Sequence, residues 1–237
     1  MNLVLFSNKD FIADNVISIR DARRLQHINN IHQITTGEYL KVGLLNGNMG
    51  NGEVTYCSSD EIRIAVSLTQ SPPAALPVTL VLALPRPKML KRTLQTIATL
   101  GVKKIYLINS YRVEKSYWQT PLLSEESINE HLLLGLEQGC DTRMPEVTLI
   151  KRFKPFVEDE LQNIVGDTRA LVAHPYTDLP CPAQIDYPIT LAIGPEGGFI
   201  PYEINLLEQC GFSAVNLGDR IMRVETVVPY LLGRLFN

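Results

Sequence analysis

Leu191-Ala192-Ile193-Gly194-Pro195-Glu196-Gly197-Gly198-Phe199, with its echo Leu217-Gly218-Asp219-Arg220-Ile221-Met222-Arg223-Val224-Glu225-Thr226, decides how this chain is read. Each follows a short apolar strand, Ile189 to Ile193 and Val215 to Leu217, and each breaks at a glycine, where backbone can take positive φ or approach a ligand closely. Both breaks are therefore expected to be strand-end loops. In open α/β sheets, ligands sit just beyond the carboxyl ends of strands, so two such loops mark the expected site. The plain alternative for the first is a tight turn before a helix starting near Pro201. Arg220, Arg223 and Glu225 crowd behind the second glycine turn too densely for ordinary punctuation.

Outward from these loops, strands and helices alternate. Val78 to Leu84 is a continuous apolar run suited to a strand buried on both faces. Leu90, Leu94, Ile97 and Ala98 have helical spacing, and Gly101 is placed to end that helix. Further strands are predicted at Lys104 to Ile108, Val147 to Ile150, Ala170 to Ala173, Ile189 to Ile193 and Ala214 to Leu217, and helices at 124–138, 155–165, 201–210 and 225–235. A parallel sheet covered by helices follows. Upstream, Ser71 to Pro77 holds three prolines in seven residues and reads as an extended linker, which divides the chain into 1–70, 71–77 and 78–237. The first part reads as short β segments at Leu3 to Phe6, Val16 to Ile19, Glu38 to Leu45, Gly52 to Tyr56 and Glu61 to Leu68. Asn46-Gly47 and Asn51-Gly52 are turn dipeptides, and the Gly47 to Gly52 region is expected to be a hairpin connection. Between these segments, Arg20 to Ile34 reads as a short basic helix with Arg23, Arg24, His27 and His32, inserted in a small β-barrel-like domain.

Composition excludes several classes. Of 237 residues, 45% are apolar and 20% charged, ordinary for a globular protein. The apolar runs fall far short of the roughly 20 residues a bilayer needs, and no secretory signal opens the chain, so no membrane association and a cytoplasmic location are expected. Cys57, Cys140, Cys181 and Cys210 form no CxxC pair, and His27 and His32 are five apart, so no metal site is expected. Net charge is −3, yet between Arg86 and Lys115 eight Lys or Arg face one acid, Glu114. That local patch is either a solvated helix face or a surface for a polyanion. GxGxxG, GxxxxGK[ST], a nucleophile elbow and HExxH are all missing. What remains is a pair of backbone-donating glycine loops, two arginines and two carboxylates. Such a set suits main-chain binding of a neutral or cationic cofactor and stabilisation of negative charge on an acceptor.

The basic helix ending in Leu100-Gly101-Val102, then Glu137-Gln138 with Arg143-Met144-Pro145, then IGPEGGF at 193–199 and LGDRIMRVET at 217–226, resembles the RsmE family along the whole chain. Its members are 16S rRNA uridine N3-methyltransferases of the SPOUT superfamily. The resemblance implies an α/β fold in which an N-terminal PUA-like, RNA-binding β-barrel precedes a SPOUT methyltransferase domain with a trefoil knot. It also implies S-adenosylmethionine (SAM) as donor, small-subunit rRNA or an assembled small ribosomal subunit as substrate, and a homodimer with its sites at the subunit interface.

Carried onto this sequence, the cofactor pocket would comprise Leu171, Val172, Ala173 and His174, then Ile193, Gly194, Pro195, Glu196, Gly197 and Gly198, then Leu217, Gly218, Arg220, Ile221 and Met222. Uracil N3 must lose a proton before it can attack. Arg220 or Arg223 would stabilise the charge spreading onto O2 and O4, and Glu196 or Glu225 would act as base. Plain alternatives stand beside these roles: Glu196 orienting its loop, Glu225 favouring a helix N-terminus, and Arg223 forming a surface or subunit salt bridge. RNA contacts would come from Arg23, Arg24, His27, Arg86, Lys88, Lys91, Arg92, Arg112 and Arg143. The chain departs from the family pattern at Thr99, Asp141 and Gln33. Two other functions are weighed: a ribose 2′-O-methyltransferase of the same superfamily, whose Asn-x-Gly-x-x-x-Arg motif is missing, and a non-catalytic RNA-binding or assembly factor.

Overall fold

The computed structural model describes residues 2–32 and 34–236. Gln33 and the side chains of His27 and His32 lie outside the described residues. Two compact units are present, Met1–Ala74 with Leu133–Met144, and Ala75–Leu132 with Pro145–Asn237.

In the first unit, β1 (Val4–Phe6), β2 (Phe11–Ala13), β3 (Val16–Ile19), α1 (Ala22–His32), β4 (Tyr39–Leu44), β5 (Met49–Cys57) and β6 (Ile62–Gln70) follow in chain order. Sheet order is β1-β4-β5-β6-β3-β2, with β1 parallel to β4 and the other pairs antiparallel. Alternation drives it: Ile62, Ile64 and Val66 of β6 point inward while Arg63 and Ser67 point out. They meet Val4, Phe6, Ile17, Ile19, Val42 and Val54, and Leu25 and Ile28 of α1 close over them. Two irregularities in the β5–β6 pairing curl the sheet.

Here two expectations change. The short, half-exposed β2 carries no alternation that could have announced it. Asn46-Gly47 does turn the β4–β5 hairpin, with Gly47 N–H donating to the Leu44 carbonyl at 2.8 Å. Asn51-Gly52, however, lies inside β5, where Gly52 pairs with Leu40 on one side and Val66 on the other. The glycines of this strand serve close approach rather than turning. A β-carbon on Gly50 would lie 1.9 Å from the Ser67 carbonyl oxygen, and one on Gly52 would lie 2.4 Å from the Ile64 side chain.

Segment 133–144 belongs with this unit through hydrogen bonds rather than through any periodic signal. Leu3 N–H reaches the Glu137 carbonyl at 3.1 Å, and Asn46 N–H the Thr142 carbonyl at 2.7 Å. Thr142 Oγ1 donates to the Gly47 carbonyl at 2.5 Å, and Asn46 Oδ1 accepts from Met144 N–H at 2.8 Å.

The second unit is a six-stranded, wholly parallel sheet of β7 (Val78–Ala83), β8 (Lys104–Ile108), β9 (Glu146–Ile150), β10 (Arg169–Ala173), β11 (Ile189–Ile193) and β12 (Ser213–Val215). Their order is β12-β10-β11-β7-β8-β9. All five residues of β11 are buried, as a strand covered on both faces requires. Helix α2 (Pro87–Thr99) buries Leu90, Thr93, Leu94, Ile97 and Ala98 and is followed by Gly101 at φ +86°. Then come α3 (Glu125–Gly139), of which only the part up to Leu132 groups with this unit, α4 (Phe153–Pro155) running through a π-wound stretch (Phe156–Leu161) into α5 (Gln162–Val165), α6 (Pro201–Gln209) and α7 (Val224–Phe236). These bounds fall within two residues of those expected. Strand β12 stops at Val215 instead of Leu217, because Asn216 turns away to pair with Leu179 and Cys181.

Neighbouring strands β10 and β11 are joined by 174–188 without a helix. This connection is strapped to the chain end instead. Asn216 N–H donates to the Leu179 carbonyl and Cys181 N–H to the Asn216 carbonyl, both at 2.8 Å. Gln184 and Ile185 donate to the Arg234 and Leu235 carbonyls at 3.0 and 2.7 Å, satisfying acceptors that a helix end leaves unpaired. Arg234 returns two bonds to the Cys181 carbonyl, at 3.0 and 2.8 Å. Among the described residues no helix is long and apolar enough to cross a membrane.

Gly50→Ala is expected to lower the stability of the first unit by about 3 kcal/mol or more, since the clash is with backbone that cannot rotate away. Denaturant unfolding followed by circular dichroism measures it.

Candidate functional site

Beyond the carboxyl ends of β10, β11 and β12 lies a cavity of about 220 Å³. Ala173, His174 and Tyr176 line it from the end of β10 and the connection beyond. Residues 193–199 line it from β11, and Val215, Leu217, Gly218, Arg220, Ile221 and Met222 from β12 and the following loop. Val224 and Val227 of α7 and Arg112, from the loop after β8, complete it. The glycine loops at 193–199 and 217–222 are therefore brought together.

The first loop is held from three sides. Gly198 N–H closes a turn on the Pro195 carbonyl at 2.7 Å, with Gly198 at φ +72°. Glu196 Oε1 accepts from the Arg86 backbone N–H at 3.2 Å and stands 3.7 Å from Arg86 Nε. Arg112 donates from Nη1 to the Gly197 carbonyl. Behind the loop, the carboxylate of Glu203 is buried, with 3% of the residue exposed. Its Oε1 accepts from Tyr111 N–H at 2.7 Å and its Oε2 from Ile200 N–H at 3.0 Å. A buried carboxylate with two backbone donors is satisfied, and it ties the loop after β8 to the start of α6.

The second loop turns at Gly218, φ +94°, whose N–H reaches Asn216 Oδ1 at 3.2 Å. No heavy atom lies within 4 Å of where a β-carbon would stand on Gly198 or Gly218, so open space adjoins both glycines although their N–H groups are already bonded. Ile221 is 74% exposed, an apolar group without cover. Burial lowers the pKa of His174, against a smaller opposing influence of Glu208, so its imidazole is neutral at neutral pH. Its ring meets Tyr176 edge-on at 5.6 Å.

Of the four residues expected to carry chemistry, Glu196 and Arg220 line the cavity. Arg223 and Glu225 do not; they stand 4.0 Å apart at the start of α7, where a carboxylate favours the helix. Leu171 and Val172 are likewise outside its lining. Both are buried within β10, whose two edges pair with β11 and β12, so side chains and backbone are already committed.

Of the residues expected to meet RNA, Lys88, Lys91 and Arg92 lie exposed on α2, and Arg143 is exposed in the first unit. Arg23 is bonded to Glu137 at 3.0 and 3.2 Å, and Arg24 to Asp10 at 3.2 and 3.0 Å. Burial raises the Asp10 pKa, but the bonds from Arg24 and the Ser7 N–H outweigh it and leave the carboxyl below its usual range. Sequence reasoning assigned Arg112 to the basic patch by charge alone and missed Tyr176, Phe199 and Glu203. Phe199 ends the IGPEGGF stretch itself, and Glu203 had a signal as a glutamate two residues after a helix-opening proline, whereas Tyr176 had none. Among the described residues no group of three or more His, Cys, Asp or Glu could hold a metal ion.

Residues 72–235 match the model of the RNA methyltransferase domain family. The chain is 31% identical over 234 residues to the ribosomal RNA small subunit methyltransferase E of Treponema pallidum, covering 95% of this chain and 87% of that one. To a Borreliella burgdorferi protein named ribosomal RNA small subunit methyltransferase E 1 it is 26% identical, covering 95% and 93%. The fold matches a Legionella pneumophila structure in complex with the bound cofactor SAM, at TM-score 0.76 and 20% identity, over 98% and 95% of the two chains. It also matches the small subunit methyltransferase E of Neisseria gonorrhoeae bound to S-adenosyl methionine, at TM-score 0.70 and 19% identity, over 97% and 95%. The expected α/β class, a PUA-like curled β unit with a parallel-sheet unit, is thereby borne out.

Glu203→Ala is expected to cost about 3 kcal/mol by leaving two backbone donors without acceptors. Glu203→Gln recovers about half, because its amide presents one acceptor where two are needed. Chemical denaturation of the three proteins gives the comparison.

Proposed function

The chain belongs to the ribosomal RNA small subunit methyltransferase E family, and on that premise we propose that it methylates N3 of a specific uridine in small-subunit (16S) rRNA, using SAM. The cavity that gathers the IGPEGGF and LGDRIM loops carries this reading. The residues present fit SAM. The open space beside Gly198 and Gly218 lets a ligand lie close to the backbone of both loops, and Ile193, Leu217, Ile221 and Met222 offer apolar walls. When bound, SAM supplies a methyl group on a positively charged sulfur.

The chain's own residues do the rest. Loop 194–198, anchored through Glu196 and Gly197, grips by backbone where side chains would intrude. Arg220 stabilises the charge left on O2 and O4 as the N3 proton departs. Of the two candidate carboxylates, Glu196 lines the cavity and is our choice of base, while Glu225 and Arg223 serve the start of α7. Lys88, Lys91, Arg92 and Arg143 supply salt-dependent phosphate contacts. We also infer a trefoil knot, supported by the bonds that hold 174–188 over Asn216 and the end of α7, and a domain division near Ser71 to Pro77. Family membership supports a homodimer acting on the small subunit or its precursor in the cytoplasm.

The test incubates the protein and labelled SAM with small subunits from cells lacking the gene and identifies the modified nucleoside by mass spectrometry. Formation of 3-methyluridine is expected, with Arg220→Ala slowing it about 100-fold. A 2′-O-methylated nucleoside would instead establish the ribose reading, and SAM binding without methylation the binding-factor reading.

A further inference from the structure

We propose that Arg112 is a charge-bearing residue of the acceptor side of this cavity rather than a phosphate contact; this rests on the reading above. Residues Arg86, Lys88, Lys91 and Arg92 of the same basic run do not line the cavity, whereas Arg112 does. Its aim is built in. The residue before it is pinned, Tyr111 N–H being bonded to the buried Glu203 carboxylate at 2.7 Å. Its stem then lies against Gly197, where a β-carbon would come 2.9 Å from Arg112 Cδ, so the glycine makes room for the arginine. At its tip, Nη1 donates to the Gly197 carbonyl.

Charge gives the independent argument. Arg23, Arg24, Arg86 and Arg223 each face a carboxylate within 4.0 Å. Among the described residues no carboxylate pairs with Arg112, so a full positive charge stands at the cavity wall with donors left over. Uracil calls for such a group: when the N3–H bond breaks and its proton passes to the base, the electron pair spreads over two carbonyl oxygens. Arg220 and Arg112 line the cavity from two different loops, so each can serve one such oxygen. Arg112 exchanges no proton; it lowers the energy of the anion and, through Gly197, ties that anion to the loop gripping the donor.

Wild type, Arg112→Ala and Arg112→Lys are compared on small subunits lacking the modification, assembled with uridine or with 5-fluorouridine, whose N3 is more acidic. SAM affinity is measured by calorimetry, and 3-methyluridine or its fluorinated counterpart by mass spectrometry across pH. For Arg112→Ala we expect SAM affinity within about fivefold of wild type and a maximal rate about 100-fold lower at neutral pH. Its rising limb should lie about one pH unit higher, with most of the lost rate restored by 5-fluorouridine. Arg112→Lys should keep the wild-type limb. A rate within twofold of wild type, a defect confined to KM for the subunit, or a loss matching that of SAM affinity with an unmoved limb would each overturn the proposal while leaving the methyltransferase reading intact. A wild-type protein that makes no 3-methyluridine would overturn that reading and this inference with it.

Discussion

Hydrogen bonds that strap 174–188 to Asn216 and to the end of α7 are the constraint on which the site depends. Adjacent parallel strands usually need a helix to return the chain, and here that helix is missing. The connection finds its partners in the backbone of Asn216, Arg234 and Leu235 instead, and Arg234 holds the Cys181 carbonyl in return. Because the same segment begins with His174 and Tyr176, the bonds that complete the fold also hold the walls of the cavity. Loosening them would release strand ends and loop together.

Empty space around glycine does comparable work in both units. In β5 the missing side chains of Gly50 and Gly52 let β6 approach and the sheet curl. At Gly197 the missing side chain admits the stem of Arg112. An Asn-Gly pair inside a strand and a Gly-Gly pair inside a binding loop look alike in sequence, because the residue records only that a β-carbon is absent. What fills the vacated volume is a tertiary fact.

The family likeness weakens where RNA would be met, and the structure gives those departures local explanations. Thr99 bonds back to the Gln95 carbonyl at 2.8 Å in the last turn of α2, and Asp141 is buried, accepting from Arg143 N–H at 2.9 Å. Arg23 and Arg24 are engaged by Glu137 and Asp10, so at these positions positive residues brace the first unit. Family resemblance carries over the two glycine loops as backbone features, and the structure brings both to one cavity. It transfers less where a side chain's partner decides its role.

Sequence alone determined the alternation of strand and helix beyond Val78, the burial of β7, and the two glycine loops as the place to look. Each is a local property, written in apolar period or in residues that permit few backbone shapes. It also carried the family likeness, through motifs whose order survives without coordinates. Tertiary structure alone decided that 133–144 groups with the first unit, that Asn51-Gly52 is strand, that Leu171 and Val172 are committed to the sheet, and that Arg112 faces the cavity while Arg223 does not. These depend on which donor meets which acceptor across many tens of residues, and no window along the chain contains both partners.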